Sequence, residues 1–187
     1  MGQIVVFENI TLDGVMQDPI GEESAGAFDW RDGLSAAANE EWLQRILHDT
    51  RGVQALLFGR RTYEFFAPRY AEGTGPVAEL VRDLPKYVVS STLTDPSWTN
   101  TAVLNGDAAT EAAKLKANVD GTIMIWASSL LVRELVAHDL VDELRLIVFP
   151  LVIGHGARLF SDAADAKRWR LAAAGTVEDL ACLTYRR

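Results

Sequence analysis

The sequence predicts an α/β fold with a mostly parallel central sheet and an antiparallel C-terminal edge, on two observations. Through residue 140, short β-rich apolar runs alternate with helical stripes, the rhythm of strands joined by crossover helices. Beyond residue 142 the helical stripes stop, and the runs at 143–153, 169–172 and 180–185 read as strands joined by loops, which suits antiparallel partners on a sheet edge. With 187 residues, 49% of them hydrophobic and 24% charged, the chain is expected to form one domain over residues 1–187 with a substantial core.

Ile4-Val5-Val6-Phe7 opens as a buried strand, and Thr11-Leu12-Asp13-Gly14 turns it into a loop that runs to Trp30 and is rich in Gly, Asp and Pro. A loop of that length in a compact domain is expected to touch ligand or to act as a lid. Asn39 is expected to cap a helix with Glu40 and Glu41 in its first turn and Trp42, Leu43, Ile46 and Leu47 on its apolar face; Gly52 ends it. Ala55-Leu56-Leu57-Phe58 is the next strand, followed by Gly59-Arg60-Arg61-Thr62 and a helical turn at 63–66. Tyr87-Val88-Val89 is a further strand, closing on Ser90-Ser91. Asp107 caps a helix over 108–117, and Thr122-Ile123-Met124-Ile125-Trp126 is an apolar strand ending at Ala127-Ser128-Ser129. Leu131, Val132, Leu135 and Val136 then form the buried stripe of a helix.

Several chemistries are disfavoured. A formal charge of −8 and a pI near 4.9 oppose binding to nucleic acid or anionic membrane, both of which need a basic face. No apolar run approaches the roughly 18 residues of a spanning helix, and residues 1–7 lack a basic leader, so the cytoplasm is the expected compartment. Cys182 is alone in an apolar setting and reads as packing. His48, His138 and His155 lack metal-ligand spacing, so no metal is expected. Neither a Gly-x-Ser-x-Gly elbow nor a phosphate-binding Gly-x-x-x-x-Gly-Lys loop occurs. Gly154-His155-Gly156 follows a strand, but Leu159 stands where a dinucleotide fingerprint needs its third glycine, so the pair reads as a backbone bend.

Three donor-rich segments share one placement: each follows a strand at its carboxyl end, where ligands bind in open α/β sheets. Gly59-Arg60-Arg61-Thr62 supplies two guanidinium groups and a hydroxyl; Ser90-Ser91 supplies hydroxyls; Ala127-Ser128-Ser129 lets a phosphate approach the backbone. Taken singly, each has a structural use, as solvated arginines, helix-capping serines or small packing residues. Their joint placement in an acidic chain points instead to a cradle for a phosphorylated cofactor.

These segments also carry a family resemblance. Thr11-Leu12-Asp13-Gly14 resembles the Ser/Thr-Leu-Asp-Gly segment of the reductase domain of riboflavin biosynthesis. Gly59-Arg60-Arg61-Thr62-Tyr63-Glu64 is similar to the Gly-Arg-x-Thr-Trp/Tyr-Glu of dihydrofolate reductases. Val88-Val89-Ser90-Ser91 resembles their strand ending in Ser-Ser, and Ile125-Trp126-Ala127-Ser128 stands at the superfamily's glycine-rich cofactor turn. Leu140-Val141-Asp142-Glu143-Leu144 with Pro150 and Gly154 is similar to the C-terminal signature of the riboflavin-type branch. The resemblance covers nearly the whole chain in order and implies a dihydrofolate reductase-like three-layer fold, NADPH lying across the sheet, and hydride transfer to a small molecule. It implies Gly59, Arg60, Arg61 and Thr62 on the cofactor phosphates, Ser90 and Ser91 near the adenosine 2′-phosphate, and Trp126, Ala127, Ser128 and Ser129 at the pyrophosphate turn. Arg61, helped by Arg60 and Ser90, is the expected source of a preference for NADPH over NADH.

For the substrate side, Asp13 would face the reacting molecule by the same analogy. Phe28 and Trp30 could stack on an aromatic ring or pack back on the core. Glu41, with Glu40, stands near the place of the pteridine-binding carboxylate of dihydrofolate reductases, although acidic residues there also suit a helix N-terminus. Phe7 and Trp126 replace the charged residues that riboflavin-type reductases carry, so their phosphoribosyl-pyrimidine is expected to be a poor substrate. The alternative to a reductase is a non-catalytic nucleotide- or small-molecule-binding protein that retains the fold. Apolar C-terminal strands favour a homodimer.

Overall fold

The computed structural model describes residues 2–17, 19, 29–160 and 165–187. Among these residues eight strands form one sheet: β1 (Gln3–Thr11), β2 (Val53–Gly59), β3 (Lys86–Val89), β4 (Thr101–Leu104), β5 (Thr122–Trp126), β6 (Glu143–Phe149), β7 (Arg170–Val177) and β8 (Leu180–Arg186), in the order β4-β3-β2-β5-β1-β6-β8-β7. The first six strands pair in parallel, and β8 joins β6 and β7 antiparallel, as the end of the helical pattern implies.

Among the described residues five α-helices cover the two faces: α1 (Ala36–Thr50), α2 (Arg60–Tyr70), α3 (Pro76–Val81), α4 (Ala108–Asn118) and α5 (Ser129–Ala137). Strand alternation divides the core between them. Val5, Phe7, Leu56, Phe58, Met124 and Trp126 pack on one face with Ala38, Tyr63, Ala67 and Val81 of α1 to α3. Ile4, Val6, Ala55, Leu57, Ile123 and Ile125 pack on the other with Ala112, Leu115, Leu131, Val132 and Leu135 of α4 and α5. Two helical layers thus enclose the sheet.

Several boundaries depart from the sequence expectation. Ser35, not Asn39, caps α1, its side chain accepting from the Ala38 N–H at 3.1 Å. The run Ala36-Ala37-Ala38 favours helix strongly enough to start it a turn earlier, so Glu40 and Glu41 fall in the second turn, outside the reach of a first-turn role. Pro150 stops β6 at Phe149 instead of at residue 153, because it has no N–H for the ladder. The helix after Gly59 extends through Tyr70. The short elements α3 and β4 carry too little periodicity to be read beforehand; Pro76 at the first position of α3 is their clearest signal. Asp107 caps α4 as expected, accepting from the Thr110 N–H at 2.9 Å, and Cys182 is buried, which raises its thiol pKa. Among the described residues no helix is long and apolar enough to cross a membrane.

Candidate functional site

Parallel pairing places the carboxyl ends of β1, β2 and β5 side by side, and the site grows from that edge. The Ser128 hydroxyl accepts from the Gly59 N–H at 3.1 Å and donates to the Trp126 carbonyl at 3.2 Å, while the Ser128 N–H donates to Thr62 Oγ1 at 3.1 Å. Two segments that lie far apart in the chain are thereby fastened together at the starts of α2 and α5. Removing the hydroxyl leaves a part-buried N–H unpaired, so Ser128→Ala should cost about 1–3 kcal/mol. Thermal unfolding should show this as a fall of several degrees, at roughly 2–4 °C per kcal/mol for a chain of this size.

The junction is also strained. Ala127 and Ser128 both sit in the left-handed region, at φ 49° and 59°, where side-chain-bearing residues are held only by their surroundings. That geometry aims the backbone at the start of α5. Helices α1 and α4 have side-chain caps, from Ser35 and Asp107; α2 and α5 have none. Two neighbouring helix N-termini therefore leave N–H groups and positive dipole ends at one place.

That place opens into a cavity of about 670 Å³. Its walls include Arg61, Thr62, Trp126, Ala127, Ser128 and Ser129, so six of the expected cofactor residues converge, with Gly59 bonded directly behind them. Arg61 and Ser129 also line an adjoining cavity of about 460 Å³ with Arg133 and Arg158. Arg61 enters no ion pair among the described residues, whereas Arg60 is half-exposed and bound to both Glu64 oxygens at 2.8 and 2.9 Å. Ser90 and Ser91 follow β3 at the same edge but line neither cavity. Ser90 Oγ instead accepts from the Thr92 and Leu93 N–H groups at 3.1 and 2.9 Å, closing its own turn, and Ser91 is exposed.

The rest of the larger cavity is aromatic. Trp126 makes edge contacts with Phe66 and Tyr70 at ring separations of 6.0 and 6.2 Å, and Phe65 and Trp42 add further lining. Phe7 faces Trp126 across the β1–β5 register, so the two departures from the riboflavin-type pattern form one apolar wall. Trp42 donates its indole N–H to Asn9 Oδ1 at 3.2 Å, and the Arg31 guanidinium lies 5.3 Å from its ring centre.

The expected substrate residues are placed differently. Asp13 accepts from Thr11 Oγ1 at 2.6 Å and from the Gly154 and Ile153 N–H groups at 2.8 and 3.3 Å, and the Thr11 hydroxyl is the main cause of its pKa falling to about 2. It ties the first loop to the C-terminal bend and lines neither cavity; Gly154 and Gly156 supply that bend with φ of 79° and 101°. Trp30 is buried against Phe149 in an edge contact at 5.6 Å. Glu41 is exposed, because α1 turns Trp42, Leu43 and Ile46 toward the cavity instead. Phe28 lies outside the described residues.

The one carboxyl lining the cavity among the described residues belongs to Glu8, which the sequence reading passed over. Glu8 lies on β1 and is only 5% exposed. Oε1 accepts from the Asn9 N–H at 3.1 Å, and Oε2 has no hydrogen-bond partner among the described residues. Burial pushes its pKa well above the usual carboxylate range, against the opposing N–H groups of Asn9 and Ala127. An acidic residue inside an apolar strand was the available signal.

An eight-strand, mostly parallel α/β sheet with an antiparallel edge gives the described chain the dihydrofolate reductase-like fold. Within it, the chain belongs to the family of the RibD C-terminal domain, whose model matches residues 3–183. It is similar to the uncharacterised Bacillus subtilis protein YyaP, 27% identical over 166 residues that cover 86% of this chain and 81% of that one. Among solved structures it resembles a protein from Shewanella sp. PV-4 assigned to riboflavin biosynthesis (TM-score 0.75, 20% identity, 99% and 98% of the two chains). It also resembles dihydrofolate reductase from Enterococcus faecalis complexed with NADP(H) and RAB-propyl (TM-score 0.63, 17% identity, 99% and 96%). At these identities the structural likeness is one of fold.

Proposed function

We propose that this chain is an NADPH-dependent reductase of a small planar molecule. The observation that carries the reading is the pair of uncapped N-termini of α2 and α5, which meet beside Arg61, Thr62 and Ser129 at the mouth of an aromatic cavity. This donor set fits a dinucleotide: backbone N–H groups, a guanidinium and hydroxyls suit a pyrophosphate, and the aromatic walls suit flat rings. When bound, NADPH supplies a hydride. Thr62, Ser129 and the two helix ends hold the phosphates, Arg61 neutralises them, and Phe66, Tyr70 and Trp126 keep water from the reacting rings. The wall made by Phe7 and Trp126 offers no charged partner to a phosphoribosyl group, so an apolar planar acceptor is favoured over the riboflavin-pathway pyrimidine.

Incubation with NADPH and a fractionated small-molecule extract tests this reading. Nicotinamide absorbance should fall only when an acceptor fraction is present; saturable binding without consumption in any fraction would identify a non-catalytic binding protein.

The reading includes a homodimer. Strand β7 forms one edge of the sheet, is exposed from Arg170 to Thr176, and includes Leu171 at 56% exposure. An edge strand of the described sheet that carries three alanines and an exposed leucine invites a second copy. Light scattering after size exclusion should report twice the 20.5 kDa chain mass, and a clean monomer at micromolar concentration would contradict it.

A further inference from the structure

We propose that Asn9 selects the small molecule bound in this cavity, its amide N–H groups receiving the carbonyl oxygen or bare ring nitrogen of a planar conjugated molecule that lies against Trp42. The inference rests on the reductase reading above and deepens it by naming the acceptor's class: flat, uncharged and edged with a hydrogen-bond acceptor, as conjugated ketones, quinones and lactones are.

The basis is the placement of the side chain. Along β1, Val5 and Phe7 face α1 to α3, while Ile4 and Val6 face α4 and α5. Two residues beyond Phe7, Asn9 falls on the Phe7 face, level with its register partner Ile147 of β6, which packs on that face too. The β1–β5 pairing ends at Phe7 and Trp126, so Asn9 stands past the end of β5, half-buried in the cavity wall.

Trp42 then decides which end of the amide a ligand meets. Its indole N–H, which can only donate, goes to Asn9 Oδ1 at 3.2 Å. The oxygen is thereby turned to α1, and Nδ2, with two protons to give, is left over. Nδ2 has no hydrogen-bond partner among the described residues, yet the one enclosed side-chain polar atom without a partner among them is Glu8 Oε2. The Asn9 amide nitrogen is therefore open to the cavity that the residue lines.

The amide is also fixed before a ligand arrives. The Arg31 guanidinium, 5.3 Å from the Trp42 ring centre, is itself held by both Asp29 oxygens, with Nε at 2.7 and 3.0 Å. A side chain locked at one end by a packed partner presents its other end with little freedom left to lose. The walls set the rest of the ligand's character: two N–H donors call for an acceptor, and the Trp42 ring with the apolar Phe7, Leu43 and Ile46 calls for a flat, uncharged body.

The test uses the full chain, Asn9→Asp and Asn9→Leu, with three flat fused-ring probes followed by equilibrium dialysis under mildly alkaline conditions. Coumarin offers a carbonyl and no donor, naphthalene offers neither, and 2-aminoquinoline offers N–H donors. Asn9→Asp keeps an oxygen for the Trp42 indole but replaces the two donors with a second oxygen. Coumarin should lose roughly two- to tenfold in affinity relative to naphthalene in both variants, the worth of one neutral hydrogen bond. 2-Aminoquinoline should bind more tightly to Asn9→Asp than to the wild type and gain nothing in Asn9→Leu. A residue that only shapes the cavity would move all three probes together. A uniform shift, a uniform loss or no shift in the variants would therefore overturn the proposal, as would a wild type that does not bind coumarin. NADPH titrated into the wild type separates the two ideas: no nucleotide binding, with the probe pattern intact, would sink the nucleotide reading and leave the Asn9 site standing, and nucleotide binding without the probe pattern would do the reverse.

Discussion

Arg61→Ala should weaken NADPH binding by about ten- to a hundredfold and should weaken NADH by a similar factor. A charge-assisted hydrogen bond from a guanidinium is worth about 1.5–3 kcal/mol, and each 1.4 kcal/mol is roughly tenfold in affinity. The equality of the two losses follows from where the residue stands. Arg61 shares both cavities with Ser129, at the start of α5, which on the proposed reading sets it against the pyrophosphate that both nucleotides carry. The sequence reading expected Arg61 at the 2′-phosphate with help from Arg60 and Ser90; in the structure Arg60 pairs with Glu64 and Ser90 closes its own turn, so neither stands beside Arg61 in the cavities. Tryptophan fluorescence, with Trp126 in the cavity wall, can follow both titrations. A loss confined to NADPH would return Arg61 to the 2′-phosphate, and no loss would remove it from the site.

A second large effect is expected from Ser129→Asp, which separates binding from folding. Ser129 is the first residue of α5, whose N-terminus has no side-chain cap, so a carboxylate there should stabilise the helix by about 0.3–1 kcal/mol. The same charge would oppose a phosphate. Two like charges about 5 Å apart at an effective dielectric near 20 repel by about 3 kcal/mol, or more than a hundredfold in affinity. The variant should therefore melt at or above the wild-type temperature while losing NADPH. A variant that melts higher and binds NADPH normally would show that the phosphates lie elsewhere.

The legible part of this protein is the part governed by periodicity. Strands such as Thr122–Trp126 and the stripe of Leu131, Val132, Leu135 and Val136 are set by burial on both sheet faces, and a local pattern reports burial well. The gathering of Gly59, Thr62 and Ser128 was legible because each follows a strand, and parallel strands share one carboxyl edge. Side-chain commitments were not. Asp13 matches a substrate residue by motif, yet its oxygens are occupied by Thr11, Ile153 and Gly154, partners mostly about 140 positions away. Glu41 is exposed because the apolar face of α1, with Trp42, Leu43 and Ile46, is the one turned to the cavity. Glu8 was hidden for the opposite reason: in an apolar strand a single acid looks like an exposed edge, and only the folded chain shows that it is buried beside the cavity.

The central claim is that the meeting of α2 and α5 binds a pyrophosphate nucleotide. Calorimetric titration of the wild type with NADPH, repeated with Ser129→Asp, tests it most directly. The account predicts saturable, one-to-one binding to each chain at micromolar concentration that the aspartate abolishes. Heat changes no larger than dilution in the wild type up to millimolar NADPH would contradict it.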